Sequence, residues 1–299
     1  MPLQPIQYYN RYTGRVESEV IYGGAWLRWT YGSPLGRLAL HLLVKRAAFS
    51  RWYGWRMDSP RSRARILPFM RDYGISRDEL LDSPESYGSF NEFFYRRLKP
   101  SARPVDGSPD SAVFPADGRH LGFATLDGCE GILVKGEVFD LEDLLQNADL
   151  ARAYRHGSLV ISRLCPVDYH RFHFPVAGTP GPTAMIEGPL FSVNPIALRQ
   201  DIRILARNRR WITEIESPSF GRVLMLEVGA TNVGSAISTY AAGQPVAKGA
   251  EKGFFKFGGS LTMCLFQPDR LQLSEDLLQR TAEGLELYAR MGDRMGMAT

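Results

Sequence analysis

The sequence predicts an α+β protein in which a mostly helical N-terminal part, residues 1–105, precedes a β-rich body, residues 106–299. Apolar residues recur at helical spacing in the first hundred residues, whereas short runs rich in Val, Ile, Leu, Thr and aromatic residues dominate the remainder. Residues 99–118, rich in Pro, Ser, Asp and Gly, lie between these two regions and predict a connecting loop.

The N-terminal part begins with a short extended segment and continues with two segments of helical spacing, residues 61–76 and 86–100. Pro100 is expected to end the second helix. Between residues 26 and 71, ten Lys or Arg residues accompany a single acid, so this segment carries a local charge of +9. It also holds four of the five tryptophans, which are Trp26, Trp29, Trp52 and Trp55.

Residues 33–55 combine an apolar stripe with a basic face at helical spacing. The stripe comprises Leu35, Leu38, Leu42 and Phe49. The basic face comprises Arg37, His41 and Lys45. Such a helix either lies in the headgroup layer of an anionic membrane or packs on its own domain, because both uses require an amphipathic pattern. Nucleic acid is the less favoured partner, since no recognisable binding motif accompanies the basic residues.

The β-rich body contains strand-like runs bounded mostly by Gly, Pro or Asp, at residues 120–126, 131–137, 158–164, 222–230, 234–243, 258–266 and 284–292. One predicted helix, residues 139–154, interrupts them. The stretch "KGFFKFGGSLTMCLF" places two glycines and Ser260 between an aromatic run and an apolar run. The residues alone leave two interpretations open, a hairpin turn or a point at which the chain breaks.

Four residues are candidates for chemistry, and the first two lie three positions apart at His170 and His173. No Cys or Glu stands nearby at metal-ligand spacing, so the pair predicts either two histidines with separate roles or structural histidines. Asp117 lies in a Pro- and Gly-containing turn. A serine becomes nucleophilic when a histidine takes its proton and an acid orients that histidine, and Asp117, His173 and Ser260 supply these three residue types.

Six motifs resemble those of the phosphatidylserine decarboxylase proenzyme family, in the same order, from about Phe94 to near the C-terminus. The first is "FYRRLKPSARP", in which the matching positions are Phe94, Arg96, Leu98, Lys99, Pro100, Arg103 and Pro104. The others are "PADG", "LCPVDYHRFHFPVAG", "FSVNPIAL", "VGATNVGS" and "KGAEKGFFKFGGS". For Arg96, Lys99 and Arg103 three roles stay open, which are support of the body, binding of the substrate phosphate, and simple solvation at the surface.

The resemblance implies an enzyme that makes its own cofactor by cutting itself between Gly259 and Ser260 into a β chain, 1–259, and an α chain, 260–299. Asp117, His173 and Ser260 match the family's self-processing triad. Ser260 would become a covalent pyruvoyl group that binds the substrate amine and accepts electrons during decarboxylation, with no metal and no pyridoxal phosphate. His170 would return a proton to the substrate.

The resemblance also implies that the body, residues 106–299, is catalytic and that residues 1–105 dock on an anionic membrane, at its cytoplasmic face. The implied reaction converts phosphatidylserine to phosphatidylethanolamine and carbon dioxide. Decarboxylation of a free amino acid, or lipid binding without catalysis, are the alternatives. A homodimer is compatible with the sequence, which does not specify the oligomeric state. Leu261 departs from the small hydroxyl residue usual in the family after the serine, and we expect it to slow processing.

Overall fold

The computed structural model describes residues 6–19, 33, 47–126, 140–198, 201–230, 236–258 and 260–299. Within these ranges the protein is α+β, with more sheet than helix. The helices are α1 (Ala47–Asp58), α2 (Ile66–Tyr73), α3 (Phe90–Phe94), α4 (Leu141–Leu145), α5 (Ala148–Tyr154), α6 (Pro195–Leu198), α7 (Ile204–Arg207) and α8 (Glu275–Ala282). Short 3-10 helices occupy Pro60–Arg65, Pro84–Ser86 and Pro100–Ala102.

Within the described ranges, the strands form one large sheet and two small ones. In chain order they are β1 (Gln7–Asn10), β2 (Arg15–Ser18), β3 (Ser111–Val113), β4 (Gly118–Phe123), β5 (Ser158–Leu164), β6 (Arg171–His173), β7 (Thr179–Pro180), β8 (Ala184–Ile186), β9 (Arg210–Ser217), β10 (Gly221–Val228), β11 (Ala236–Ser238), β12 (Glu251–Phe255), β13 (Ser260–Phe266), β14 (Gln272–Leu273), β15 (Glu286–Ala289) and β16 (Arg294–Met297). The large sheet has the order β2-β1-β15-β4-β5-β13-β10-β9-β7, and β8 also pairs with β9. The small sheets are β11-β12-β6 and β14-β16-β3.

Strand β13 occupies the centre of the large sheet, between β5 and β10, and pairs antiparallel with both. All seven of its residues are buried. Successive side chains of a strand point to opposite faces, so Leu261, Met263 and Leu265 enter the core on one face. Cys264 and Phe266 enter the core on the other face, and Ser260 shares that face by the same alternation.

The start of the predicted N-terminal part belongs to the large sheet. Strands β1 and β2 form a hairpin, and β1 pairs parallel with β15. Glu19, which follows the hairpin, bonds to Arg163 on β5 with 2.6 Å between Oε2 and a guanidinium nitrogen. Residues 7–19 therefore help to build the body, while the predicted helix at 33–55 is described only at residue 33 and from residue 47 onward.

Helices α1 to α3 enclose a separate apolar cluster that includes Met57, Ile66, Phe69, Phe90, Phe93 and Phe94. The predicted helix at 61–76 is found as a 3-10 turn followed by α2, which ends at Gly74 with a φ of 65°. The predicted helix at 86–100 is too long, because only Phe90–Phe94 is α-helical. Beyond it the chain is extended, since main-chain atoms of Arg97 and Lys99 bond to those of Leu81 and Glu79.

Other predicted elements of the body can also be compared with the structure. The strand predicted at 158–164 is found with these bounds as β5. The helix predicted at 139–154 is interrupted, because Gln146 adopts a φ of 49° and the Asn147 side chain caps a second helix by accepting from Asp149 and Leu150. The strand predicted at 131–137 lies outside the described residues.

Candidate active site

Ser260 is the first residue of β13 and is fully buried. Its Oγ has no hydrogen-bond partner among the residues that the structure describes. An unsatisfied buried hydroxyl costs about 1–3 kcal/mol, so its retention at the centre of a sheet is a feature that requires a reason. Gly258 has a φ of 147°, a conformation that in practice only glycine adopts. Gly259, the other member of the predicted cleavage site, lies outside the described residues.

Leu261 directs its side chain away from Ser260, because adjacent residues of a strand occupy opposite faces. It is fully buried in the core on the far side of the sheet. The Leu261 side chain and the Ser260 hydroxyl therefore lie on opposite faces of the sheet. Any effect of Leu261 on processing would have to be indirect.

His170 is fully buried beside the helical cluster. Its ring packs on Phe94 with 3.8 Å between centroids, and Nδ1 donates to the main-chain oxygen of Asp168 at 3.0 Å. Nε2 has no partner within the described part of the chain. Burial lowers the pKa of His170 to about 3, while the carbonyls of Asp168 and Gly258 act in the opposite direction. The imidazole is therefore neutral at pH 7. It lies near Gly258, the residue before the proposed cleavage site at Gly259 and Ser260.

His173 ends β6 and is held at both ring nitrogens. Nδ1 donates to the Gly249 carbonyl at 2.9 Å, and Nε2 accepts from the Tyr169 hydroxyl at 3.3 Å. Burial raises the pKa of Tyr169, so its hydroxyl keeps the proton that it donates. Burial also lowers the pKa of His173, so the ring is neutral at pH 7. Because Nδ1 carries the proton, Nε2 holds the lone pair of the ring, and that lone pair accepts from Tyr169.

Asp117 lies close to His173 but bonds to other groups. Its carboxylate accepts three hydrogen bonds from Arg103, at 2.6 to 2.9 Å, and one from the Met291 main-chain N–H at 2.9 Å. The His173 main-chain N–H donates to Pro115, two residues before Asp117. Asp117 therefore lies near His173 through the backbone and raises its pKa through space, without a direct hydrogen bond between the two side chains.

Two residues within the quoted motifs have contacts that the sequence alone did not indicate. Arg103, left open between support and phosphate binding, clamps Asp117 and also bonds to Glu79 at 3.1 Å. Arg96 is buried and donates to the carbonyls of Phe94, Val167 and Asp168, at 3.3 to 3.5 Å. The motif identifies both arginines. It does not identify their partners, such as Asp117 for Arg103 or Val167 for Arg96, which only the folded structure brings into contact.

Two buried ionic arrangements hold the strands and turns around the site. Asp168 accepts from Arg119 and from the Cys165 main-chain N–H, so the turn that leads to His170 is fixed to β4. Glu227 on β10 binds Lys252 on β12, with 2.7 and 2.8 Å from Nζ to the two carboxylate oxygens. The second pair joins the large sheet to the small sheet that carries His173. In the described ranges, no group of three His, Cys, Asp or Glu residues is arranged to hold a metal ion.

A family model described as phosphatidylserine decarboxylase matches residues 90–297. The chain belongs to the phosphatidylserine decarboxylase family. Its relatives include proteins described as phosphatidylserine decarboxylase proenzymes. The Chlamydia muridarum protein is 44% identical over 296 residues, which cover 99% of this chain and 98% of the relative. The Ruminiclostridium cellulolyticum protein is 43% identical over 291 residues, which cover 97% of each.

The Desulfitobacterium hafniense phosphatidylserine decarboxylase proenzyme is 40% identical over 292 residues, which cover 98% of each chain. The resemblance inferred from the six motifs is therefore confirmed. In this member of the phosphatidylserine decarboxylase family, the motif residues Asp117, His170, His173 and Ser260 are all buried. His173 ends β6 and Ser260 begins β13, and Ser260 Oγ makes no hydrogen bond to His173 among the residues that the structure describes.

Proposed function

We propose that this chain catalyses the reaction for which its family is named, the conversion of phosphatidylserine to phosphatidylethanolamine and carbon dioxide, as a carboxy-lyase. We further propose that it is a proenzyme that makes a pyruvoyl group from Ser260. The observation that carries this second proposal is the buried Ser260 Oγ, which lacks a partner in the described part of the chain and lies two residues after Gly258, whose φ is 147°. A pyruvoyl group fits this position because it needs no counter-ion and occupies the space of a serine.

The self-cleavage begins with attack by Ser260 Oγ on the carbonyl carbon of Gly259. The bond from Oγ to that carbon forms, the peptide C–N bond breaks, and the Oγ proton ends on the nitrogen of residue 260. Loss of the Cα proton of residue 260 then expels the Gly259 carboxylate and leaves dehydroalanine. Addition of water replaces the nitrogen, which departs as ammonia, and a ketone remains at the new N-terminus.

We assign to His173 the removal of the Ser260 proton, because Nε2 holds the lone pair of the ring once Nδ1 donates to Gly249. Nε2 must exchange the hydrogen bond from the Tyr169 hydroxyl for one from Ser260 Oγ before it takes that proton. The Asp117 carboxylate supports this role through its field, since it raises the pKa of His173. Arg103 holds that carboxylate in place through its three hydrogen bonds.

The pyruvoyl ketone supplies the electron sink for decarboxylation of a bound amino acid headgroup. His170 is the residue that we assign to hold and deliver the proton that replaces carbon dioxide. Nε2 is the atom that serves this role, because Nδ1 donates its proton to the Asp168 carbonyl. The neutral ring carries no proton on Nε2, so Nε2 takes one from solvent and then passes it to the substrate carbon. The contact with the Phe94 ring holds the imidazole plane while the proton moves.

We also propose that the N-terminal part docks on the cytoplasmic face of an anionic membrane. Trp55 on α1 is 70% exposed and Trp52 is 49% exposed, and the Arg56 guanidinium lies 5.3 Å from the Trp52 ring centre. Exposed Trp beside Arg is suited to the headgroup layer. None of the helices in the described ranges is long and apolar enough to cross a membrane.

The decisive experiment compares the intact mass of the purified protein with that of Ser260→Ala. The protein should consist of two chains that separate between Gly259 and residue 260, with a pyruvoyl-blocked small chain, and Ser260→Ala should remain one chain. The two-chain form should release carbon dioxide from phosphatidylserine vesicles. Release from free serine alone would favour the amino acid decarboxylase, and an uncut chain that binds vesicles without release would favour a lipid-binding protein.

Membrane docking has a separate test in sedimentation with vesicles. The double variant Trp52→Ala with Trp55→Ala should bind vesicles of phosphatidylserine and phosphatidylcholine at least about tenfold more weakly, because both side chains supply interfacial apolar area. Trp211→Ala, on β9 of the large sheet, is the matched control. Equal binding by the double variant and the unmodified protein would contradict docking through α1.

A further inference from the structure

The residues just before the proposed cleavage site are held by the helical cluster rather than by the sheet. Phe257 donates its main-chain N–H to Asn91 Oδ1 at 2.7 Å. Its ring packs against Phe90 and Phe94, with centroid separations of 5.2 and 4.8 Å. Asn91 is fully buried on α3. The chain therefore reaches Gly258 from a point that α3 determines.

The side-chain amide of Asn91 uses both of its ends. Nδ2 donates to Asp58 Oδ1 at 2.9 Å, while Oδ1 accepts from Phe257. Asp58, the last residue of α1, also accepts from Lys256, with 3.1 Å between Nζ and Oδ2. These four residues close a polar ring, which we call the Asn91 ring. An amide suits the position because it donates to one neighbour and accepts from the other, whereas a carboxylate would face Asp58 with like charge.

The ring lies close to the proposed chemistry along the chain. Only two residues separate Phe257 from Ser260, and consecutive Cα atoms are about 3.8 Å apart, so anchors at both ends limit the path between them. Ser260 is anchored by β13, which is paired on both sides. Acyl transfer requires the attacking oxygen about 3–3.5 Å from the carbonyl carbon, and a displacement of about 1 Å can lower the rate 100-fold.

We propose that Asn91 is a positioning residue for self-cleavage. Through its hydrogen bond to Phe257, it holds the carbonyl side of the scissile bond within reach of Ser260 Oγ. This inference rests on the proposed function, because positioning has a meaning only if the chain cuts itself. The step that it serves is the acyl shift written above, in which Asn91 takes no proton and forms no covalent bond.

The test follows self-cleavage in newly synthesised full-length protein by intact mass over time. Asn91→Asp should slow the appearance of the two chains at least about tenfold, because its carboxylate repels Asp58 and displaces Phe257. The double variant Asp58→Asn with Asn91→Asp restores one donor and one acceptor, and its rate should return to within about threefold of the unmodified protein. Glu92→Gln, the next residue on α3 and outside the ring, is the matched control.

Hydroxylamine distinguishes positioning from the later steps, because it cleaves an ester. A variant stalled after the acyl shift is cut when hydroxylamine is added, whereas a variant that cannot form the ester stays intact. Asn91→Asp should stay intact and should melt cooperatively. Cleavage of Asn91→Asp at the unmodified rate, its full rescue by hydroxylamine, or a loss of folding that the double variant does not repair would each overturn the inference.

Failure of the unmodified protein to cut itself is a separate outcome. It would refute the proposed self-processing, and the role of Asn91 with it. Slow cleavage confined to Asn91→Asp, with normal cleavage in Glu92→Gln and recovery in the double variant, supports the positioning role.

Discussion

Replacing Lys252 with Met should destabilise the folded chain by about 3–5 kcal/mol at pH 7. The Lys252 and Glu227 side chains are 0% and 1% exposed, and Nζ lies 2.7 Å from the nearer carboxylate oxygen. Met retains most of the volume beside the Phe172 and Tyr240 rings, which lie 5.5 and 5.7 Å from Nζ. The cost arises because removal of one partner leaves the other buried without compensation for its charge.

Urea unfolding in a Ser260→Ala background measures this change, because that background keeps a single uncut chain. The loss should also depend on pH. Burial raises the pKa of Glu227, and removal of the Lys252 charge raises it further. A folded-state pKa above the unfolded value of about 4.3 favours folding below that value, so the penalty of Lys252→Met should shrink toward pH 4 and grow as the pH rises.

The double variant Glu227→Gln with Lys252→Met tests whether the unpaired charge is the cause. It should recover most of the lost free energy of unfolding, because replacement of both members of a buried pair is often close to neutral. A loss below about 1 kcal/mol in Lys252→Met, or an equal loss in the double variant, would refute the electrostatic reasoning.

Three further predictions concern the site. Leu261→Thr should still cut itself, as judged by intact mass, but should lose about 1–3 kcal/mol in urea unfolding because a hydroxyl enters an apolar core; an uncut chain would contradict this. His173→Ala should remain uncut, whereas His170→Ala should be cut and release no carbon dioxide; normal turnover by His170→Ala would show that the two roles are wrongly divided. The midpoint of the rate of self-cleavage should lie below the ordinary histidine pKa of about 6.5, because burial lowers the pKa of His173; a rate midpoint above pH 7 would exclude His173 as the base.

Local patterns predicted the elements whose character depends on neighbours in sequence. Strand β5 has the predicted bounds because seven residues without Gly or Pro favour an extended run. The helix at 139–154 was predicted as one segment, although Asn147 caps a second helix from within it. The helix at 86–100 was predicted too long, since Arg97 and Lys99 bond to residues near position 80. In that segment, tertiary pairing outweighed helical spacing.

The sequence by itself determined the family, the α+β class and the four candidate residues, because motif order and residue type are properties of the chain alone. The tertiary structure decided which groups contact them. Arg103 rather than His173 bonds to Asp117, Tyr169 faces His173, and Asn91 reaches Phe257. The Asn91–Phe257 contact joins residues that are 166 positions apart. Only the packing of the helical cluster against the sheets brings such partners within hydrogen-bonding distance, and no local pattern in the sequence encodes that distance.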